Sequence, residues 1–207
     1  MRHPFEFFSI MSPPIAYPPI RRGGSLMLAW QVKGKSVLVI GGGHVAAGRI
    51  VNALEADANV TVLAPRKGLL PEVAHRIDTG QITTYKDKEF EEADLNGVDL
   101  CFAAIDSPDV SSRIWRACKE RRIPVNVADV PGECDFYFGS QHRDGPLQIM
   151  ISTNGTAPKL ANLIRVYIAR CLPRNAGSGC SNVGRLRRKL RAISPGHTEV
   201  SKRMKWS

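Results

Sequence analysis

The stretch Ser36-Val37-Leu38-Val39-Ile40-Gly41-Gly42-Gly43-His44-Val45-Ala46-Ala47-Gly48-Arg49-Ile50-Val51-Asn52-Ala53-Leu54 decides the fold. Its first five residues form a short apolar run, as a strand buried on both faces requires. Residues 47–54 read as a helix. Between them stands GxGxxA, with Gly41, Gly43 and Ala46 in the three small positions. Gly41 permits a tight turn, Gly43 lets backbone approach a pyrophosphate, and Ala46 lets the helix pack closely on the strand. The N–H groups at the helix start then face the phosphates. A tight turn without a ligand is the bland alternative; the strand before and the helix after favour the dinucleotide. Gly42, His44 and Val45 complete the predicted cradle, with His44 as a neighbour of the cofactor rather than a catalyst.

Downstream the pattern alternates. Asn59–Leu63 reads as a strand ending at Ala64-Pro65-Arg66-Lys67. An acid commonly sits there to bind a ribose 2′-hydroxyl, and none does. Arg66 can accept a 2′-phosphate or flank the adenine, so local chemistry leaves NAD and NADP open. A helix is expected over 70–77, strands over 82–85, 99–104 and 123–127, and a helix over 110–119 capped by Ser107 or Asp109. Strands alternating with helices predict an α/β, Rossmann-like, doubly wound parallel sheet whose ligand lies at the carboxyl ends of the strands.

After Asp129 the pattern changes. Cys134–Gly139 and Leu147–Ser152 read as strands joined by a polar turn at His142–Gly145. Pro158 then opens a helix to Cys171 with Leu160, Leu163, Ile164 and Ile168 on one side. The aromatic strand calls for a partner surface, which suggests dimerisation. The expected organisation is a flexible extension over 1–26, a dinucleotide-binding domain over 27–130, a small α+β dimerisation region over 131–157 and a short helical segment over 158–207.

Composition narrows the function. Hydrophobic residues make up 43% of the 207, enough for a core. No apolar run approaches the roughly 20 residues that span a bilayer, so no membrane role is expected. The formal net charge of +10 comes from the ends, because residues 31–172 hold 17 basic and 17 acidic residues. A protein-wide nucleic-acid surface is therefore not expected, and the basic run 185–191 reads as a solvated helix face. The five cysteines are odd in number and include no CxxC pair. They predict free thiols in a reducing compartment, the cytoplasm, and no bound structural metal. Five prolines among the first 19 residues disfavour a helical leader there.

Asp129 is the candidate for chemistry. It lies just past a predicted strand at the predicted cofactor edge, where a carboxylate can accept a proton while hydride leaves a substrate. An Asp before Pro131-Gly132 is equally read as a turn former. Asp135 is the weaker candidate, with a structural role expected.

Four ordered segments carry a family resemblance: Val39–Ala47, Asn126-Val127-Ala128-Asp129, Cys134-Asp135-Phe136-Tyr137-Phe138-Gly139 and Ile151–Pro158. They resemble the precorrin-2 dehydrogenase/sirohydrochlorin ferrochelatase family of siroheme synthesis, and the resemblance runs from about residue 24 to about residue 193. It implies NAD held by Gly41 to Val45 with Pro65 and Arg66; the family also lacks an acid at that strand end. It implies oxidation of precorrin-2 to sirohydrochlorin, insertion of Fe2+ as a substrate to give siroheme, Asp129 serving both steps, and a homodimer. The implied tetrapyrrole is polycarboxylated, which makes Lys159 and Arg165 candidate anchors. A serine phosphorylated in bacterial relatives matches Thr153 here and is not transferred. The C-terminus departs from the family, whose helical domain is longer, and Gly177-Ser178-Gly179 is looser than a helix favours. An incomplete substrate-covering domain is expected from this. Dehydrogenation alone, or a non-catalytic dinucleotide-binding regulatory module, are the alternative functions.

Overall fold

The computed structural model describes residue 20 and residues 22–193. Most of the expected N-terminal extension, and residues 194–207, lie outside the described residues. Five parallel strands, β1 (Ser36–Ile40), β2 (Asn59–Leu63), β3 (Thr84–Lys86), β4 (Leu100–Ala103) and β5 (Val125–Val127), form one sheet in the order β3-β2-β1-β4-β5. Successive residues of β1 point to opposite faces, and both faces are covered. Val37 and Val39 pack in a core with Ala46, Ala47, Ile50 and Val73. These come from helix α1 (His44–Glu55) and helix α2 (Pro71–Asp78). Leu38 and Ile40 pack in a second core with Ile114, Ala117 and Cys118 of helix α3 (Pro108–Glu120). The near-continuous apolar runs of the sequence are thus the signature of strands with no solvent face. Ser107 holds the N-cap position of α3 without a side-chain bond, and Pro108 opens the helix.

The second region differs from its sequence reading. Residues 134–139 are not a ladder strand. Their only pairing among the described residues is an isolated antiparallel bridge of Cys134 to Asn126. The hairpin is instead β6 (Ser140–Asp144) and β7 (Leu147–Ile151). Its loop is Gly145-Pro146, with Gly145 at φ 55°, where a two-residue hairpin turn takes glycine. The expected polar turn at 142–145 is therefore mostly strand. The physical reason lies in the aromatics. Phe136 and Phe138 pack edge-on against Phe102 of β4 at 6.0 and 5.0 Å, and Trp30 meets Phe136 at 5.8 Å. The aromatic stretch covers its own sheet, so these two rings are not the surface left for a partner.

Helices α4 (Pro158–Cys171) and α5 (Ala176–Ile193) follow and contact the hairpin. Arg143 of β6 donates to the carbonyl of Glu55 at 2.7 Å, tying the hairpin to the C-terminal end of α1. The Gly177-Ser178-Gly179 stretch is regular helix, contrary to expectation. Gly177 donates its N–H to Asp144 Oδ2 at 2.7 Å, and a Cβ on it would stand 2.2 Å from the Asp144 carbonyl oxygen. Close approach of helix to hairpin explains the glycine better than looseness does. The basic residues at 185–189 are exposed. All five cysteines are free, with Cys101 and Cys118 buried. Among the described residues no helix is long and apolar enough to cross a membrane.

Alanine is the better helix former by about 1 kcal/mol, yet Gly177→Ala is expected to destabilise the fold by about 1–3 kcal/mol through overpacking. A denaturant titration of the two proteins checks the sign.

Candidate active site

The strands all point their carboxyl ends to one edge, and chain connections reverse direction there between β1 and β4. Such a switch point leaves a crevice. Gly41 occupies it with φ 120°; a Cβ there would lie 2.1 Å from the Ala104 carbonyl oxygen. Gly42 is nearly as confined, with Leu69 Cδ2 at 2.4 Å from its would-be Cβ. Gly43 differs, since a Cβ on it meets nothing within 4 Å. The protein itself does not demand glycine at that position, and open space is left above it. Gly43 is the N-cap of α1 and offers no side-chain cap. The N–H groups of His44, Val45 and Ala46 meet no acceptor among the described residues, while Ala47 donates to the Gly43 carbonyl at 2.9 Å. Unmet donors, a helix dipole and a bare backbone fit a pyrophosphate. His44 is the first helical residue rather than part of the turn, and both it and Val45 are exposed.

Pro65 and Arg66 follow β2 on the same edge. The Arg66 side chain donates to Asp78 at 2.8 Å, which raises its pKa, and its N–H donates to Asp87 Oδ1 at 2.8 Å. Of the two roles the sequence left open for Arg66, a 2′-phosphate partner or a flank of the adenine, the first meets a competitor, because in the fold the side chain already has a carboxylate partner. Asp87, just past β3, brings an acid to this edge from the strand beside β2 rather than from β2 itself.

Asp129 follows β5, with β4 lying between it and the glycine turn. Ala128 donates its N–H to the Ala103 carbonyl at 2.9 Å, which holds the strand end. Asp129 then adopts φ 60°, the left-handed region that Asp tolerates better than most residues. Its carboxylate is exposed and has no hydrogen-bond or ion-pair partner among the described residues. The turn-forming and chemical readings thus meet in one residue. Asp135 is structural: Oδ1 accepts from Lys119 Nζ at 2.6 Å and Oδ2 from the Val125 N–H at 3.1 Å. Buried Asn126 donates to the Phe136 carbonyl at 2.8 Å, and Cys134 Sγ donates to the Val127 carbonyl at 3.1 Å. These bonds stitch residues 134–136 to β5 and fix one wall beside Asp129.

The result is a cleft of about 370 Å³ lined by Asp129, Arg49, Tyr137, Phe138, Ser152 and Thr153, among others. Arg49 went unsingled in the sequence because it sits mid-helix. Its guanidinium lies 3.6 Å from the Phe138 ring centroid. Burial pushes its pKa down, while nearby Cys134 and Asp129 pull it back up. Lys159 and Arg165 do not line this cleft; Arg165 instead donates to Asn162 at 2.8 Å.

Known proteins match along most of the chain. An NAD(P)-binding family profile matches residues 28–140, and profiles for the sirohaem biosynthesis protein central and C-terminal regions match 144–170 and 173–207. Siroheme biosynthesis protein met8 of Schizosaccharomyces pombe is 50% identical over 92% of this chain and 72% of its own length. The chain belongs to the siroheme biosynthesis protein family. The family's Saccharomyces cerevisiae member is 30% identical over 88% of this chain and 81% of its own length. Siroheme synthase of Thioalkalivibrio sulfidiphilus is 35% identical, but only 35% of that longer protein is matched. A solved structure of SirC, precorrin-2 dehydrogenase, superposes with a TM-score of 0.69 at 24% identity, covering 87% of this chain and 86% of that one. That likeness concerns the fold. In this member of the family, the stretch matched by the NAD(P)-binding profile includes the five-stranded sheet and the glycine turn.

Gly43→Ala separates ligand from fold. Its φ of −84° suits alanine and its Cβ has room. Thermal stability should stay unchanged while NADH affinity, read by fluorescence titration, falls about tenfold or more because the pyrophosphate approach is blocked.

Proposed function

We propose that this chain oxidises precorrin-2 to sirohydrochlorin with NAD+ in the cytosol, and that the same cleft inserts Fe2+ to give siroheme. The observation that carries this reading is Asp129: an exposed, unpaired carboxylate on a strand end, lining a cleft one strand away from the glycine turn. Gly41 to Val45 would hold the diphosphate, and Pro65 with Arg66 would border the adenosine. NAD rather than NADP is supported by the Arg66–Asp78 pair, which occupies the cation a 2′-phosphate would use. Asp87 beside it adds negative charge.

When bound, NAD+ supplies an acceptor for the hydride. The chain's part is the proton. Precorrin-2 gives up a hydride, which carries both electrons, and separately a proton, and Asp129 takes that proton as a general base. For chelation, the incoming Fe2+ displaces two pyrrole protons, and the same carboxylate can receive them one at a time and pass them to solvent. Exposure of Asp129 suits both roles, because its proton has an exit. A second reading is dehydrogenation without chelation. It is favoured by Asp129 being the sole acidic side chain lining the cleft among the described residues. Iron insertion assayed on purified sirohydrochlorin separates the two.

The homodimer is also our proposal. Leu160, Leu163 and Tyr167 on α4 are 51, 58 and 70% exposed, and Val183, Leu186 and Leu190 form a similar exposed stripe on α5. Two apolar stripes on consecutive helices support burial against a second copy.

Asp129→Asn retains a residue tolerant of the left-handed region but removes the base. Precorrin-2 turnover should fall about 100-fold or more with NAD+ affinity unchanged; near-normal turnover would remove Asp129 from the mechanism. Size-exclusion chromatography at micromolar concentration should give the dimer mass, and Leu163→Asp with Tyr167→Asp should shift it to the monomer.

A further inference from the structure

The geometry points to Arg49 as the anchor for a peripheral carboxylate of the tetrapyrrole, the residue that sets the macrocycle's position over Asp129. This rests on the tetrapyrrole reading above and adds the group that recognises the substrate's charge. Among the described residues lining the cleft, Arg49 is the single cation. No carboxylate lies within 4.0 Å of it among the described residues. It makes no hydrogen bond there either. A half-buried guanidinium that cannot shed its charge is costly without a paired anion, and Asp129, the one acid lining the cleft among the described residues, acts on it only from beyond ion-pair distance.

The orientation is set in advance. The guanidinium carbon sits over the Phe138 ring, 3.6 Å from its centroid, and Phe138 is held by Phe102 and Phe136 at 5.0 and 5.7 Å. With no hydrogen bond made among the described residues, the guanidinium keeps its N–H donors for a bidentate pair with a carboxylate. The stem issues from α1, whose start is the glycine turn, so the anchor is rigidly linked to the cofactor end. A polycarboxylated ring meeting one fixed cation would be seated in one lateral position, with its reacting carbon carried toward Asp129. Arg49 is in this sense a positioning residue.

Arg49→Gln and Arg49→Lys test it, with uroporphyrin, a porphyrin carrying acetate and propionate arms, as a stable probe. Titration of uroporphyrin by absorbance in the presence of NAD+ should show about tenfold weaker binding to Arg49→Gln. The salt dependence should be shallower, and NAD+ affinity should stay within about twofold of the parent. With precorrin-2, KM should rise more than kcat falls. Arg49→Lys keeps the charge but not the planar fork, and should weaken uroporphyrin several-fold. It decides the matter if Arg49→Gln does not fold. Unchanged uroporphyrin affinity in a folded variant, or loss confined to NAD+, overturns the anchor. If the parent protein takes up NAD+ but neither uroporphyrin nor precorrin-2, the tetrapyrrole reading fails with it. If the parent binds both and only the variants are indifferent, the anchor alone fails.

Discussion

The structure turns on the contact of Gly41 with the Ala104 carbonyl. β1 is central, and the chain leaves it toward β2 on one side while β4 and β5 lie on the other. The crevice opens because connections diverge at that point. For the backbone to turn there it must pass against the end of β4, and no side chain fits between. With that approach made, α1 starts at His44, just past its N-cap Gly43, with its first donors unmet, and β4 stays close enough to β1 for Phe102 to present a ring to the following region.

That ring is the second organising element. Phe136 and Phe138 wedge onto it, and hydrogen bonds from Asn126 and Cys134 stop the segment from sliding. A stretch that would otherwise be a loop becomes a wall. It confines Asp129 on one side and carries Arg49 on the other. The two polar side chains that matter in the cleft thus come from opposite ends of the dinucleotide-binding domain, joined by aromatic packing rather than by sequence proximity.

This explains what could be read in advance. Strands buried on both faces are continuous apolar runs, and the glycine turn has fixed spacing, so the sheet and cradle were legible. Asp129 was legible as a strand-end acid. The segment 134–139 misled because Phe136-Tyr137-Phe138 is the kind of aromatic run that strands favour. Phe136 and Phe138 instead serve packing against Phe102, and a ladder partner is supplied only at Cys134. Arg49 and Asp87 were illegible for a related reason. One sits inside an ordinary helix and the other beyond a three-residue strand, and each gains meaning only from what a distant segment brings beside it. Gly177 shows the same limit, since a helix glycine looks like weakness until Asp144 is seen against it.

The bond from Arg143 to the last carbonyl of α1 has a mechanical corollary. That helix is fastened at its far end to the hairpin, while its near end follows the glycine turn proposed to hold the diphosphate and its middle carries Arg49. The six-residue separation between Gly43 and Arg49 amounts to about 9 Å of axial rise. On the reading proposed above, the helix would work as a ruler, holding dinucleotide and tetrapyrrole at a set spacing that loops could not maintain. Any tilt of the hairpin would turn the whole ruler, moving both molecules together instead of pulling one away from the other.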